Sequence, residues 1–331
     1  AEFVASVLVR ESKDSPVGDD DKIYYFFTER AGEETTSFFD KSQVARVARV
    51  ARVCKSDLGG KKILQRKWTS FMKARLVCYI PYYEVLRSVC SLDGGGWASG
   101  PYMEYQDSAR KWSRYDGAVP EPRPGSCITD HSRRKGYNSS QDLPNSVLDF
   151  VKLHPLMFEE VKPAGGEPLL VKKSVAYSCL AVDRVRALDG RSYDVLFMGT
   201  GNGWIHKAVV VGSGIHIVEE VQVFRNPQPV ESLVISHTQR SLYVGAASGI
   251  VQVPLASCAQ YASCYDCVLA RDPYCAWDGR ACRAIATVDS TGLVQDIQSG
   301  NEGCRSISGR VCVPAGSLLW KNRTVLQGDD V

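Results

Sequence analysis

The sequence predicts a mainly β protein in which blades of a β-propeller are followed by a small disulfide-rich module. Three observations lead to this prediction. A segment of 17 residues recurs 46 positions further along the chain, and short runs of β-branched and aromatic residues alternate with polar turns. Six cysteines are concentrated between positions 258 and 304. Repeats of this period that are built of short strands are typical of propeller blades.

The repeat aligns residues 193–209 with residues 239–255 without gaps. It places Gly199 over Gly245 and Gly203 over Gly249, an offset of 46 residues in both cases. That offset is close to the length of a propeller blade, in which about four strands form a sheet that packs radially around a channel. The repeat therefore predicts propeller blades in this region.

Gly199, Gly201 and Gly203 follow a strand-like run, which is also the setting of a phosphate-binding loop. A dinucleotide-binding loop must open a helix whose N-terminus holds the pyrophosphate. Here the following residues are WIHKAVVV, which are rich in β-branched types, and the second copy of the repeat has Ala247 in place of the middle glycine. We therefore predict that these glycines supply positive φ angles in a β-hairpin turn.

Other segments predict further strands and two helices. Short strands are expected at residues 3–10, 22–30, 44–54, 168–182 and 215–224. Residues 61–77 place apolar side chains at helical spacing, and residues 143–157 begin after a polar turn and stop near Pro155. Both segments are predicted to be helices, although neither is long enough to dominate the fold.

The cysteines indicate an oxidising compartment. A small domain buries little apolar surface, and each disulfide typically adds about 2–5 kcal/mol of stability. A zinc site is the alternative, because Cys264-x-x-Cys267 has the spacing of metal ligands. No second C-x-x-C pair and no histidine follow it, however. Two N-glycosylation sequons agree with export: Asn138-Ser139-Ser140 and Asn322-Arg323-Thr324.

Composition and motifs argue against several classes of function. The net charge of +3 and the 44% of hydrophobic residues do not point to nucleic acid. No run of 18 apolar residues is present, so an export signal or a membrane anchor is expected outside these residues. The five histidines form no H-x-x-x-H pair, and the chain has no G-x-S-x-G motif. The acidic run at residues 19–21 predicts a solvated turn. No catalytic residue, metal, cofactor or small-molecule substrate is predicted.

Several longer strings resemble the semaphorins, in particular their class 4 membrane-anchored group. They are GDDDKIYYFFTER (18–30), VARVCKSDLGGKKILQRKWTSFMKARLVC (50–78), VPEPRPGSC (119–127), LDFVKLHPLM (148–157) and CYDCVLARDPYCAWDG (264–279). The resemblance implies a seven-bladed sema propeller, a PSI module and the start of an immunoglobulin-like domain. We assign residues 1–255 to the sema part, 256–305 to PSI, and 306–331 to a linker and the start of the third domain.

The resemblance also implies a function. Semaphorins are extracellular signalling ligands that bind plexin receptors as homodimers and are not enzymes. A class 4 member is a single-pass type I membrane protein, which meets the membrane only through a C-terminal anchor. Two alternatives stay open. Plexins and scatter-factor receptors share the sema–PSI pair, and a propeller hydrolase would use carboxylates that only the fold brings together.

The disulfide pairing follows from the resemblance. It implies the bridges Cys54–Cys127, Cys258–Cys275, Cys264–Cys304 and Cys267–Cys282. Four cysteines are left over. The partner that relatives have for Cys78 is missing here, and a Cys78–Cys90 bridge is the alternative. Cys179 and Cys312 have no evident partners and are expected to be free, buried or wrongly paired.

Two departures from the family pattern are expected. The first blades of the propeller are missing, and an internal deletion near positions 99 and 100 has removed further strands. Because a propeller is stabilised by ring closure, uncovered blade faces should cause retention or aggregation, and plexin binding should be at least about tenfold weaker than for a complete propeller. The PSI segment is expected to stay stable on its own.

Overall fold

A computed structural model describes residues 1–10, 21–30, 46–78, 85–90, 100–108, 111–287, 291–300 and 303–304. The chain divides into two units, residues 1–168 and residues 169–331. Antiparallel strands dominate the regular secondary structure of both units, which confirms the predicted mainly β fold class.

The first unit is built on a four-stranded antiparallel sheet with the strand order β1-β2-β3-β4. Its strands are β1 (Glu2–Val9), β2 (Lys22–Arg30), β3 (Arg46–Cys54) and β4 (Met72–Arg75). The first three lie where strands are predicted, except that residues 44–45 are outside the described residues. Valine, tyrosine and phenylalanine are frequent in these segments, and such residues favour strands.

The helix predicted at residues 61–77 is wrong. Residues 61–70 form turns that lead into β4, and Leu64 and Arg66 have φ angles of 54° and 58°, which no α-helix allows. The carboxylate of Asp57 fixes the end of this segment, because it accepts hydrogen bonds from the backbone N–H groups of Thr69 and Ser70, both at 2.8 Å. The helical spacing of the apolar residues is therefore overridden by local hydrogen bonds.

Two strands and two helices complete the first unit. Strands β5 (Met103–Gln106) and β6 (Lys111–Arg114) form a hairpin, and helix α1 (Asp130–Arg134) is a short element that was not predicted. Helix α2 (Asn145–Leu153) confirms the second predicted helix. It buries Val147, Leu148, Phe150 and Val151 on one face.

An extended segment that follows α2 connects the sheet to the hairpin. The Met157 N–H donates to the Lys73 carbonyl on β4, and the Met103 N–H on β5 donates to the Leu156 carbonyl, both at 2.8 Å. The core of the unit lies beneath this segment and contains Val50, Met72, Tyr102, Phe150 and Met157.

The second unit begins with two antiparallel sheets. The first has the order β10-β9-β8-β7, and the second has the order β11-β12-β13. Their strands are β7 (Tyr177–Arg186), β8 (Ser192–Thr200), β9 (Trp204–Val211), β10 (Gly214–Gln222), β11 (Ser232–Ser236), β12 (Ser241–Ala246) and β13 (Gly249–Pro254). The strand predicted at 168–182 begins only at Tyr177, whereas the one at 215–224 lies as predicted.

The sequence repeat corresponds to two hairpins, β8–β9 and β12–β13. Gly203 and Gly249 have φ angles of +91° and +133°, so the predicted role of glycine in these turns is confirmed there. The prediction is wrong at Gly199 and Gly201, which have no positive φ angle. A Cβ atom at Gly199 would lie 2.6 Å from the Cys179 Sγ atom, so this glycine is required by close packing instead.

A cysteine-rich module follows the two sheets. It contains helix α3 (Cys264–Leu269) and the paired strands β14 (Cys275–Trp277) and β15 (Cys282–Ala284). The Ser263 side chain caps α3 by accepting a hydrogen bond from the Asp266 N–H at 3.1 Å. Six half-cystines pack with Val268 and Trp277 to form its core.

Candidate functional site

Four disulfide bonds join the pairs that the family resemblance implies. One lies in the first unit, between Cys54 and Cys127, and three lie in the cysteine-rich module: Cys258–Cys275, Cys264–Cys304 and Cys267–Cys282. The Cα–Cα distances run from 5.5 to 5.9 Å, the usual range for disulfides. The two cysteines with metal-ligand spacing are therefore bonded to other cysteines, and the described residues contain no group of three or more metal-ligating side chains.

The remaining cysteines and the sequons differ in their exposure. Cys90 is an exposed free thiol, and Cys179 is a half-buried one whose pKa is raised by burial. Cys78 is half-buried. Asn138 is exposed, and its backbone N–H donates to an Asp142 carboxylate oxygen at 3.0 Å. Cys312 and Asn322 lie outside the described residues.

Of the acidic run at residues 19–21, only Asp21 belongs to the residues that the structure describes. Its carboxylate lies 3.5 Å from the Lys55 ammonium, and Asp21 is buried. The prediction of a solvated turn is therefore wrong at this residue, because the chain already enters the sheet there.

A buried lysine joins the β7–β10 sheet to the cysteine-rich module. Lys207, on β9, is only 1% exposed. Its Nζ atom donates to Asp272 Oδ2 at 2.6 Å and to the Leu255 carbonyl at 2.7 Å, and it lies 3.7 Å from Glu219 Oε1. The Tyr274 ring covers the ammonium at 4.7 Å. Burying a lysine is costly unless its charge is paired, and here the ammonium contacts two carboxylates, a carbonyl and an aromatic ring.

A second set of hydrogen bonds supports this junction. The Tyr274 hydroxyl donates to Asp183 Oδ2 on β7 at 2.5 Å. Burial first, and then this carboxylate, raise the pKa of Tyr274. The Gln295 side-chain amide donates to the Cys275 carbonyl at 2.8 Å and accepts from the Leu188 N–H at 3.0 Å. Sequence analysis missed the junction, although a lysine inside the β-branched run WIHKAVVV is a signal that could have drawn attention to it.

An aromatic groove lies on the β1–β2 side of the first unit. Phe3 and Trp68 are 66% and 46% exposed, and the Trp68 ring stacks on Tyr25 at 5.5 Å. The groove encloses about 600 Å³ and is lined mainly by apolar atoms. Glu29 and Lys73 lie at its end, 2.6 Å apart.

The carboxylate in this groove is not set up as an acid catalyst. Burial alone would raise the pKa of Glu29, but the ion pairs with Lys73 and Arg49 hold it below its ordinary value. Glu29 is therefore ionised at neutral pH and cannot donate a proton. The groove offers apolar contact area with one compensated charge, which suits binding rather than proton transfer.

Comparison with known proteins agrees with this architecture. The family described as "Sema domain" matches residues 97–237, and the one described as "Plexin repeat" matches residues 257–305. Human Semaphorin-4G is 58% identical over 369 aligned positions, which cover 100% of this chain and 44% of that protein. Mouse Semaphorin-4C is 45% identical over 368 aligned positions, which cover 99% of this chain and 43% of that protein. This chain spans less than half of either relative.

A solved structure gives the same answer for the fold. One chain in the structure of Drosophila Plexin A in complex with Semaphorin 1b superimposes on this chain with a TM-score of 0.72 and 28% sequence identity. The superposition covers 90% of this chain and 64% of that one. The sheets of both units and the cystine-rich module thus define a protein of the sema–PSI class. The chain belongs to the semaphorin family, and its relatives named above are class 4 members.

Two further findings concern the length of the chain and the membrane. The alignment with human Semaphorin-4G has 369 positions, 38 more than the 331 residues of this chain, so the relative carries segments that have no counterpart here. Within the part of the chain that the structure describes, no helix has the length and apolarity needed to span a bilayer.

Proposed function

We propose that this chain is part of an extracellular signalling ligand that binds a plexin receptor through its sema domain and acts as a homodimer. The observation that carries the proposal is the match over 90% of the chain to a chain of a semaphorin–plexin complex. Identity of 58% and 45% to two class 4 semaphorins, over nearly all of this chain, supports the same assignment.

The junction around Lys207 supports a binding role. Ligands that present loops from a rigid scaffold lose little conformational entropy when they associate. The buried ion pair with Asp272 and the hydrogen bond between Tyr274 and Asp183 hold the last sheets and the cysteine-rich module together as such a scaffold.

The domain division belongs to the same proposal. Residues 1–255 form the sema part, residues 256–305 form PSI, and residues 306–331 lead into an immunoglobulin-like domain. The family matches at 97–237 and 257–305 support the first two assignments. We further infer that the extra segments of the relative include one near positions 99 and 100, and that the parent protein is a type I membrane protein at the cell surface.

A receptor of the plexin type is the second candidate, because plexins share the sema–PSI pair. The identity of the class 4 relatives favours the ligand. No observation on the described residues favours a propeller hydrolase.

Surface plasmon resonance against a panel of plexin ectodomains tests the proposal. We expect saturable binding to at least one plexin and none to an unrelated ectodomain immobilised at equal density. A chain that shows a cooperative thermal transition but binds no plexin would contradict the ligand assignment. Binding to semaphorin ectodomains instead of plexins would establish the receptor alternative. Analytical ultracentrifugation of the same sample tests the homodimer.

A further inference from the structure

A turn in the first unit carries a dense group of positive charges. Residues 61–67, KKILQRK, contain four cations and no acidic residue, and Lys61, Lys62, Arg66 and Lys67 are all exposed. Runs of this composition are typical of sites that bind nucleic acid or heparin-like polymers, although an isolated run is often only a solvated surface. The surrounding structure is therefore needed to distinguish a binding site for a polyanion from an ordinary solvated surface.

The turn is fixed in a strained conformation. The backbone N–H groups of Gly60 and Lys67 both donate to the Leu64 carbonyl, at 3.1 and 3.0 Å. Leu64 and Arg66 adopt positive φ angles, which non-glycine residues rarely do, and Ile63 and Leu64 are half-buried. Such strain persists only where the surrounding structure enforces it, and it often occurs at binding sites. The cations are thus presented from a defined backbone.

A second group of cations lies at the end of helix α1. Arg133 and Arg134 end helix α1, and Lys135 is its C-terminal cap. Ser140, which is 2% exposed, connects the two segments. Its hydroxyl accepts from the Leu58 N–H and donates to the Gly59 carbonyl, both at 2.9 Å. These bonds hold the chain five residues after Lys135 against the two residues that precede Gly60 and the turn.

Most of these cations have no carboxylate partner. Arg133 pairs with Asp130 at 2.8 Å. Within the described residues, no ion pair is formed by the other six: Lys61, Lys62, Arg66, Lys67, Arg134 and Lys135. The sheet of the same unit differs, since Arg46, Arg49 and Lys73 each pair with a glutamate there.

The nearby acids do not neutralise this surface. The carboxylate of Asp57 is occupied by backbone and hydroxyl donors of Thr69 and Ser70. The Asp142 carboxylate accepts from the N–H groups of Asn138 and Ser139. Asp149 on α2 is exposed. Even when Asp57, Asp142 and Asp149 each count as one negative charge, the six unpaired cations outnumber them.

We propose that residues 61–67 together with Arg133, Arg134 and Lys135, here called the basic surface, bind a sulfated glycosaminoglycan. An extended polymer with regularly spaced sulfates can contact both groups of cations at once, which a single phosphate cannot. The disulfide bonds indicate an extracellular setting, where sulfated polysaccharides are the abundant polyanions and nucleic acid is not. The inference goes beyond the proposed plexin binding and does not depend on it.

The test measures binding of the 331-residue chain to immobilised heparan sulfate by surface plasmon resonance, and its salt-dependent elution from heparin. We expect the quadruple variant Lys61→Gln/Lys62→Gln/Arg66→Gln/Lys67→Gln to bind at least about tenfold more weakly, because each lost charge removes a screened attraction. The double variant Arg134→Gln/Lys135→Gln should bind several-fold more weakly. Its two residues lie outside the strained turn, so it keeps the test valid if the quadruple variant fails to fold.

A matched control removes four exposed positive charges from the second unit: Lys173→Gln/Arg186→Gln/Arg191→Gln/Arg225→Gln. It should bind like the unmodified chain. All proteins are also prepared with Asn138→Gln, so that a glycan beside the basic surface does not obscure binding. An equal loss in the control would overturn the proposal, as would unchanged binding in both basic-surface variants.

Three further probes distinguish the polymer class. Chemically desulfated heparin should bind much more weakly than heparin. Duplex DNA of similar charge, or phosphatidylserine vesicles, binding at least as tightly as heparan sulfate would overturn the assignment to a sulfated polysaccharide.

Discussion

Lys207 and Asp272 form a fully buried ion pair, with Nζ and Oδ2 2.6 Å apart although the two residues are 65 positions apart in the sequence. Lys207 belongs to the third strand of the β7–β10 sheet, and Asp272 lies between the helix and the first strand of the cysteine-rich module. Asp272 also accepts a hydrogen bond from the Tyr274 N–H at 3.0 Å, through its other oxygen. One carboxylate therefore orders its own loop and attaches that loop to the sheet.

Replacing one member of this pair should be strongly destabilising. Lys207→Met leaves a buried, unpaired carboxylate, and we expect it to lower the free energy of unfolding by about 3–5 kcal/mol. The double variant Lys207→Met/Asp272→Asn should cost clearly less than the sum of the single variants, because the Asp272 charge is removed together with its partner, asparagine can still accept from Tyr274, and only Glu219 loses the lysine in both Lys207 variants. Urea unfolding measures both.

Lys173→Met is the matched control for this experiment, because Lys173 is exposed. Its effect should stay within about 0.5 kcal/mol. A similar cost for Lys173→Met and Lys207→Met would show that the buried pair contributes nothing specific.

The strand β3 shows how far local sequence patterns predict the fold. Its sequence RVARVARVC repeats every three residues, whereas side chains in a strand alternate every two. Arg49 therefore points to the opposite face from Arg46 and Arg52. The pattern of β-branched residues predicts the strand itself, but not that Arg49 is fully buried against Glu29, because the glutamate comes from a neighbouring strand.

The features that sequence reasoning missed share one cause. The turns at residues 61–70 are fixed by Asp57, and the Lys207 junction by residues of the distant module, so neither is encoded in a local period. The cysteines are different, because their density in the sequence predicts a disulfide-rich module and the family resemblance predicts which cysteines pair. The pairing by itself could not be worked out from spacing alone.

The sequon at Asn138 gives a prediction that separates glycosylation from folding. Asn138 is exposed, so a secreted chain should carry a glycan there that a peptide N-glycosidase removes. Asn138→Gln should abolish that glycan with little effect on stability. Ser140→Ala should abolish it as well, but it should also cost about 1–3 kcal/mol, because the Leu58 N–H and the Gly59 carbonyl lose their shared partner.

Ser140→Thr is the control, since it retains both the sequon and a hydroxyl. Mass spectrometry and thermal unfolding of the three variants provide the readouts. Equal melting temperatures for Asn138→Gln and Ser140→Ala, both measured after enzymatic removal of glycans, would argue against a structural role of the Ser140 hydroxyl.

The thiols should react in the order of their exposure. In the native chain we expect Cys90 to be alkylated rapidly and Cys179 slowly, because Cys179 is half-buried and burial raises its pKa. The eight cysteines in disulfides should react only after reduction. Time-resolved labelling followed by non-reducing peptide mapping gives both results. A peptide in which Cys264 is joined to Cys267 would contradict the pairing, and equal labelling rates for Cys90 and Cys179 would contradict the burial.

The stability of the second unit should decrease on acidification, and His206 should account for part of the decrease. His206 is buried, its Nδ1 atom lies 2.9 Å from the Tyr177 hydroxyl and 3.5 Å from Glu220 Oε1, and Lys172 pairs with that glutamate. Burial is the main cause that lowers the pKa of His206, and the positive charge of Lys172 acts in the same direction, while Glu220 opposes both.

A histidine whose pKa is lowered in the folded state binds more protons when it is unfolded. Its contribution to stability is therefore complete above the ordinary value of 6.5 and is lost as the pH falls through the window below it. We expect His206→Gln to reduce the difference in unfolding free energy between pH 7.4 and pH 5.5. The pKa of His216 is also lowered by burial, so some pH dependence should persist in the His206 variant. Urea unfolding at both pH values measures this difference. An unchanged pH dependence in His206→Gln would show that His206 does not contribute to the loss of stability on acidification.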